Sequence, residues 1–591
     1  MTISALRALR ELRALRALRA FRAFREFVAA RAAAAAVAGG AVALTACAAF
    51  FQPDRNARAP LLDGFGTLAW PITTAVAEAQ ALFTRGMLQS YAFNEHEAAR
   101  TFKAALAKDP ACAMCAWGVA YALGPNINSG PRGDVSEAQR YAQYAKARLS
   151  GATPREAALV DALVLRYADA KRIDPMDAPL LAASCGKAGA EPSNPLDVAY
   201  ARKMRELSDA YTTDPDITSL LAEAVIIATP DVLWDRQTGA PSPDVLLMVE
   251  RLEQALERAP EHTGLNHYLV HAMDSSPTPE RAEAAADRLG RLAPEAPHLV
   301  HMPSHVYVRL ARYGDARRVN EEALAAELRQ TAATKAQGFE TVNNWDRHNT
   351  HFLWFAALMD GRGEQALAQA RQLATLSAKG KSAYSELMRS MPLLTLVRLG
   401  RFDDALKEPP IAGDAGMASG VRDHARGMAL ARIGQLPAAR EAAASLKRAI
   451  DSSTSAKKPD SSTQAVLAVL SAQLQGEIEA ASGDTAAAHV TLQRAAELED
   501  ALEANEPPIL GAGSRLLLGD VLLRAGRWAD AEAAFGSDLK GQPGNGWALR
   551  GLLNAIERQS RSTEAAGVRS QYERAWVRAD AALRTGAVPG G

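Results

Sequence analysis

Two pairs of histidines carry the clearest chemical signal in this 591-residue sequence. His267 and His271 lie four residues apart, and His301 and His305 repeat that spacing 34 residues further along the chain. A spacing of four places both side chains on one face of a helix, one turn apart. Imidazole is a good ligand for zinc, copper and iron. The two pairs therefore predict a transition-metal site shared by two neighbouring helices.

Other side chains extend this candidate site. Asp274 follows His271 by three residues, and two histidines with a carboxylate are a known ligand set for zinc and non-haem iron. Eight of the eleven histidines fall between His262 and His351. The predicted metal ligands are His267, His271, Asp274, His301, His305, His348 and His351, and the predicted ion is Zn, Cu or Fe.

The backbone near the second pair should be interrupted. Pro303 stands between His301 and His305, where it removes a backbone donor. We expect the helix that carries His301 and His305 to kink or restart there. This break would free a carbonyl and turn His301 inward.

No catalytic residue is predicted. The sequence has no phosphate-binding glycine loop, no Gly-x-Ser-x-Gly elbow and no His-Glu-x-x-His motif. Whether the metal site turns over a substrate therefore stays open. Two alternatives remain: a metal-free groove that binds peptides, and histidines that only pack in the structure.

A repeat of helical hairpins is the framework that would position these side chains. One unit carries Gly86, Ala98, Phe102 and Pro110, and a late unit carries Gly519, Gly526, Ala531, Phe535 and Pro543 at similar offsets. Small residues let paired helices pack closely, and the proline ends the second helix. Ala, Leu and Arg dominate the composition and aromatic residues make up only 6%, which favours helices over strands.

This pattern resembles the tetratricopeptide repeat family and, more narrowly, a group of bacterial tetratricopeptide lipoproteins. The segments that carry the narrower resemblance are Cys112–Asn128, Asn266–Asp274, His298–Arg309, His348–Phe352 and Asn545–Leu552. The resemblance implies an all-α, α-α superhelical solenoid whose first helices face a concave groove. The histidines would then line that groove over residues 264–355, where a peptide or protein ligand would also bind. The resemblance implies no particular reaction.

The N-terminus indicates export. Arg-rich repeats from Ala5 to Arg25 precede an apolar run from Ala33 to Leu44, and the following Leu44-Thr45-Ala46-Cys47 resembles a bacterial lipobox. We therefore predict a signal peptide over 1–46 and a lipid anchor on Cys47. A lead-in segment over 47–78, a solenoid over 79–585 and a tail over 586–591 would follow. The expected location is the bacterial cell envelope, anchored to the outer membrane and facing the periplasm.

The charge balance limits the class of binding partner, and the spacing of two cysteines limits their redox state. Lys plus Arg and Asp plus Glu both number 67, so no net field attracts nucleic acid. Cys112 and Cys115 have the spacing of a disulfide or a buried thiol pair. We favour buried thiols, because a helix opposes a bridge between residues three apart unless the first lies outside the helix.

Overall fold

A computed structural model describes most of the chain: residues 51–128, 135–169, 194–229, 233–235, 238–342, 345–409, 416–454, 461–502, 507–511 and 513–585. The predicted signal peptide, Cys47 and the tail over 586–591 lie outside the described residues. Of the described helices, none combines the length and the apolar character needed to cross a bilayer.

The described residues form 26 α-helices and no strand; an isolated bridge joins Trp234 and Pro241. The helices are α1 (Ala77–Tyr91), α2 (Glu95–Lys108), α3 (Ala113–Ala122), α4 (Ser136–Lys146), α5 (Pro154–Arg166), α6 (Pro195–Ala210), α7 (Pro215–Ala228), α8 (Pro243–Arg258), α9 (Thr263–Met273), α10 (Glu283–Leu292), α11 (Pro297–His301), α12 (Pro303–Arg309), α13 (Tyr313–Ala336), α14 (Asp346–Met359), α15 (Gly363–Leu376), α16 (Ala383–Arg398), α17 (Phe402–Lys407), α18 (Met417–Arg432), α19 (Leu436–Thr454), α20 (Ser461–Ala481), α21 (Thr485–Asp500), α22 (Ser514–Arg524), α23 (Trp528–Gly541), α24 (Gly546–Arg558), α25 (Ser562–Ala575) and α26 (Ala581–Thr585). The predicted all-α solenoid is confirmed.

Close packing between helices explains why the repeats keep small residues at fixed places. Consecutive helices contact each other, and first helices of neighbouring hairpins, such as α18 and α20, also touch. A Cβ atom added at Gly519 or Gly551 would come within 2.5 Å or 2.3 Å of the Phe535 ring. Phe535 therefore fills the space that the two glycines leave, and it is completely buried.

The turns inside the hairpins share one backbone conformation. Gly361, Gly400, Gly434, Gly483 and Gly526 all have positive φ at the turn between the first and second helix. Glycine adopts this left-handed conformation without steric cost. Phe93, Ala311 and Ser560 occupy the corresponding turns with positive φ although they carry side chains. Phe93, with φ 52°, lies beside the histidines described below.

The predicted interruption at Pro303 is present. Helix α11 ends at His301, α12 begins at Pro303, and Met302 joins them. His301 and His305 therefore lie on two short helices, and they still approach each other closely.

Both ends of the array pack against its middle. On the N-terminal side, Glu295 donates its backbone N–H to the carbonyl of Gly64 at 3.0 Å. On the C-terminal side, the Trp576 indole N–H donates to the carbonyl of Met359 at 3.0 Å. The histidine-bearing helices α9 to α14 consequently lie between the lead-in segment and the last repeats.

The expectation of buried thiols at Cys112 and Cys115 is wrong, because the two residues form a disulfide. Cys112 precedes α3 as its N-cap, and its sulfur accepts the backbone N–H of Cys115. The first cysteine thus lies outside the helix, which is the arrangement that permits a bridge across three residues.

Candidate metal centre

Six histidines form two triads of converging ring nitrogens. The first triad consists of His267, His271 and His298, and the second triad consists of His301, His305 and His348. Within each triad, one nitrogen from every ring lies within 4.8 Å of the others. The triads adjoin, since the rings of His298 and His301 have centroids 6.3 Å apart. The sequence prediction that both i,i+4 pairs gather in one region agrees with this geometry.

The first triad joins helices α9 and α11. Nε2 of His267 and Nε2 of His298 are 3.1 Å apart, and the His271 ring lies 4.7 Å from that of His267. Nδ1 of His267 lies 2.7 Å from the carbonyl oxygen of Tyr91, so this nitrogen carries the proton and donates it. The Nε2 lone pair of His267 therefore points into the triad.

The second triad joins α11, α12 and α14. Nε2 of His301 lies 3.1 Å from Nε2 of His305 and 3.0 Å from Nε2 of His348. Three inward nitrogens thus surround one point. This is the arrangement of ligands around a metal ion with three histidine ligands.

The outer nitrogens of the second triad are held by hydrogen-bond acceptors. Nδ1 of His301 lies 2.7 Å from Oδ1 of Asn320. The orientation of the Asn320 amide is fixed because its Nδ2 donates to the carbonyl of Ala316 at 2.7 Å. Nδ1 of His305 lies 3.2 Å from Asp274 Oδ1. Nδ1 of His301 therefore carries a proton and donates it to Asn320, and the Nε2 lone pair of His301 faces Nε2 of His305.

Asp274 occupies a different place from the one predicted. It was expected among the ligands, but its carboxylate contacts the outer nitrogen of His305, on the far side of the ring from the converging nitrogens. A carboxylate in this position orients a metal-binding imidazole and raises its basicity. Asp274 follows helix α9 directly, and Arg309 donates a hydrogen bond to its carbonyl oxygen.

His351 lies on helix α14 but belongs to neither triad. Its ring stacks on Trp354, with centroids 5.5 Å apart. Its Nε2 is buried without a hydrogen-bond partner, and burial lowers its pKa to about 3. The structure therefore brings six of the eight histidines of this region together and leaves His351 apart.

Sequence reasoning missed His298 as a ligand. It lies three residues before His301 and begins the first turn of α11, so the helix carries it to the first triad while His301 faces the second. Its Nδ1 is buried without a partner. The available signal was its position between two candidate histidines in a short helix that starts with a proline.

Burial determines the protonation state of the triads. Removal from water lowers the pKa of His271 to about 3, and it lowers the pKa values of His267, His298, His301 and His348 well below the usual value. Neighbouring imidazoles lower these pKa values further, because each charged ring would repel the next. These five rings are therefore neutral near pH 7, which is the form that binds metals.

The expected open groove over residues 264–355 is wrong for this region. His267, His301 and His305 are 0% exposed, and His348 is 8% exposed. Aromatic rings cover the triads: Phe93 contacts the first and Phe352 contacts the second. The lead-in segment and α1 pack against α9 and contribute to this burial.

Three other histidines have local roles. His262 caps α9 by accepting the backbone N–H of Leu265 and pairs with Asp216. His424 contacts the carbonyl of Leu470 at 2.9 Å. His96 is exposed on α2.

No protein-family model matches the chain, and no curated protein matches it. Similar solved structures include a human IFIT1 dimer with m7Gppp-AAAA, at 13% identity, with 85% of this chain and 90% of that chain covered and a TM-score of 0.29. The TPR domain of P58(IPK) is 11% identical, with 83% and 100% covered and a TM-score of 0.23. Yeast Tom70 is also 11% identical, with 84% and 91% covered and a TM-score of 0.25.

Proposed function

We propose that this protein binds transition-metal ions through its two histidine triads. The observation that carries the proposal is the contact between His301 and His305. Nε2 of His301 lies 3.1 Å from Nε2 of His305 and 3.0 Å from Nε2 of His348, inside the protein. One metal ion can accept lone pairs from all three nitrogens at once, whereas a proton is shared between only two of them. The lowered pKa of His301 disfavours a proton in that role.

The ligand set indicates which ions would bind. Imidazole nitrogens suit zinc, copper and iron, whereas magnesium and calcium prefer oxygen. A metal–nitrogen bond of roughly 2.0–2.1 Å places tetrahedral ligands about 3.3–3.4 Å apart, close to the separations in the second triad. Three histidines leave a fourth coordination position, as in catalytic zinc sites. We therefore propose up to two ions per chain.

Elemental analysis of the purified protein tests this proposal. After reconstitution with zinc or copper and removal of excess ion, the wild-type protein should retain up to two ions. His301→Gln should lose the ion of the second triad, and His267→Gln should lose the ion of the first. His351→Phe is the matched control, because His351 lies on the same helical array outside both triads and should leave the metal content unchanged.

A metal-free wild-type protein after reconstitution with Zn, Cu and Fe would contradict the proposal. The second candidate, a metal-free scaffold for protein or peptide partners, would then account for the repeats. A circular-dichroism melt of each variant separates loss of ligand from loss of fold.

The proposed cellular setting is the bacterial envelope, with the chain tethered through a lipid on Cys47. The disulfide between Cys112 and Cys115 supports an oxidising compartment. Mass spectrometry of membrane-extracted protein should find a diacylglyceryl group on Cys47. A product without acyl mass would contradict the lipid anchor and leave the metal proposal standing.

A further inference from the structure

A partly open cavity of about 260 Å³ lies beside the first triad. The turn after α1, helix α13, Val342 and Trp345 contribute to its walls. Its lining includes Phe65, Phe93, Glu95, Glu327 and Trp345, and we call it the Glu327 cavity.

Two rings separate the Glu327 cavity from the histidines. Phe93 stacks on His298 with centroids 5.0 Å apart, and Trp345 stacks on the same ring at 4.2 Å. Phe93 stands at a turn where five other hairpins have glycine, and its φ is 52°. The strained backbone thus holds an aromatic ring as a shared wall of the cavity and the triad.

Two carboxyl groups line the cavity. Glu327 is only 6% exposed, and its Oε2 has no hydrogen-bond partner. Glu95 also lines the space, and no Lys or Arg lies among the described residues that line it. Burial, with a contribution from Asp346, raises the pKa of Glu327 to about 7. A buried carboxylate without a partner is costly unless a donor or a cation meets it.

We propose that the Glu327 cavity binds a small primary amine with an apolar or aromatic body, whose ammonium group pairs with Glu327. The rings of Phe65, Phe93 and Trp345 offer apolar contact and cation–π attraction to such a ligand. With about 30 Å³ as the share of one water molecule, the cavity holds roughly nine non-hydrogen atoms. Phenethylamine has this size and both chemical features.

This proposal is independent of metal binding, because none of the six triad histidines lines the cavity. Calorimetric titration of the full chain at pH 8 tests it, once after EDTA treatment and once with zinc. Phenethylamine is the probe, 3-phenylpropionate is the anion of similar shape, and putrescine is the amine without an aromatic body. Saturable binding of phenethylamine in both preparations, at least tenfold tighter than that of 3-phenylpropionate, is the expected result.

Glu327→Gln should weaken phenethylamine binding at least tenfold, because it removes the charge and keeps the shape. Glu322→Gln is the matched control on the same helix: Glu322 is exposed and pairs with Arg318, so binding should not change. Equal binding of the amine and the anion, or unchanged binding by Glu327→Gln, would overturn the proposal. If putrescine bound but phenethylamine did not, the proposed aromatic body of the ligand would be wrong. If neither amine bound, the proposed amine site would be wrong.

Discussion

Hydrogen bonds at the outer nitrogens of the histidines determine the protonation of the inner nitrogens. Asn320, Asp274 and the carbonyl of Tyr91 each accept a hydrogen bond from Nδ1 of a different ring. These contacts fix the tautomer, and the same contacts fix the direction of each ring. The triads are therefore prearranged to accept a cation.

Asp274→Asn should weaken metal binding at the second triad by about 10–100-fold without removing it, because the amide orients His305 less strongly and adds no charge. Competition with a metal-binding dye measures the affinity. Asp287→Asn is the control, since Asp287 pairs with Tyr307 and Arg312 nearby and contacts no triad histidine in the described hydrogen bonds. An unchanged affinity in Asp274→Asn would argue against its orienting role.

Acid should destabilise the metal-free protein. Because burial lowers the histidine pKa values, the folded state binds fewer protons than the unfolded state between about pH 6.5 and the lowered values. The free energy of unfolding should fall through this window by about 1.4 kcal/mol per pH unit for each such ring. Urea denaturation of EDTA-treated protein at pH 7 and pH 5 measures the slope.

His351→Phe provides the control for this slope. It removes one buried titrating ring outside the triads, so its stability should depend less steeply on pH than that of the wild type. A stability that does not change between pH 7 and pH 5 would contradict neutral burial of these rings.

At the scale of the helices, packing of glycines against buried aromatic rings determines the distance between neighbouring helices. Gly519 and Gly551 face the two sides of the space that Phe535 fills. The hairpins stack at this spacing only while both positions lack a side chain. The same arrangement occurs near the N-terminus, where Gly86 and Gly118 approach Phe102.

Gly551→Ala should destabilise the last repeats by about 1–3 kcal/mol, because its Cβ would lie 2.3 Å from the Phe535 ring. Gly536→Ala is the matched control in the adjacent helix α23. Its Cβ would meet no atom within 4 Å, so it should stabilise the helix by up to about 1 kcal/mol. Thermal melts followed by circular dichroism measure both, and equal shifts of the same sign would contradict the packing argument.

The sequence predicts features that depend on spacing within a helix or a hairpin. The 34-residue displacement gives the shared register of His267 and His301, and Pro303 gives the break between α11 and α12. Contacts between distant repeats were not predicted. Tyr91 reaches His267 across 176 residues, because small rotations from each repeat add up to the curvature of the superhelix.

The orientations of Asp274, His298 and His351 were also beyond prediction from sequence spacing. Each of them lies three residues from another candidate histidine. This spacing alone does not determine which nitrogen or oxygen points inward. The short helix α11 turns His298 toward the first triad, and stacking on Trp354 turns His351 away.

At the scale of the whole molecule, closure of the superhelix produces the burial of the site. Trp576 is 1% exposed and bonds to Met359, and Arg578 pairs with the buried carboxylate of Asp360. These contacts join the last repeats to helix α14, which carries His348. The lead-in segment covers the opposite side.

Trp576→Ala should release the last repeats from helix α14, because it removes the bond to Met359 and leaves a cavity that costs about 3–5 kcal/mol. Small-angle X-ray scattering should then show a larger radius of gyration. Trp528→Ala is the control, since Trp528 is only half-buried at the start of α23 and contacts Arg558 at the end of the next helix, α24. An unchanged scattering profile for Trp576→Ala would contradict closure through this contact.

The most direct test of the metal proposal is an anomalous difference map, collected at the zinc absorption edge from crystals of zinc-saturated protein. A peak should lie roughly 2.0–2.1 Å from Nε2 of His301, His305 and His348, and a second peak should lie among His267, His271 and His298. Absence of any peak at the six histidines, with zinc bound elsewhere or not at all, would contradict it.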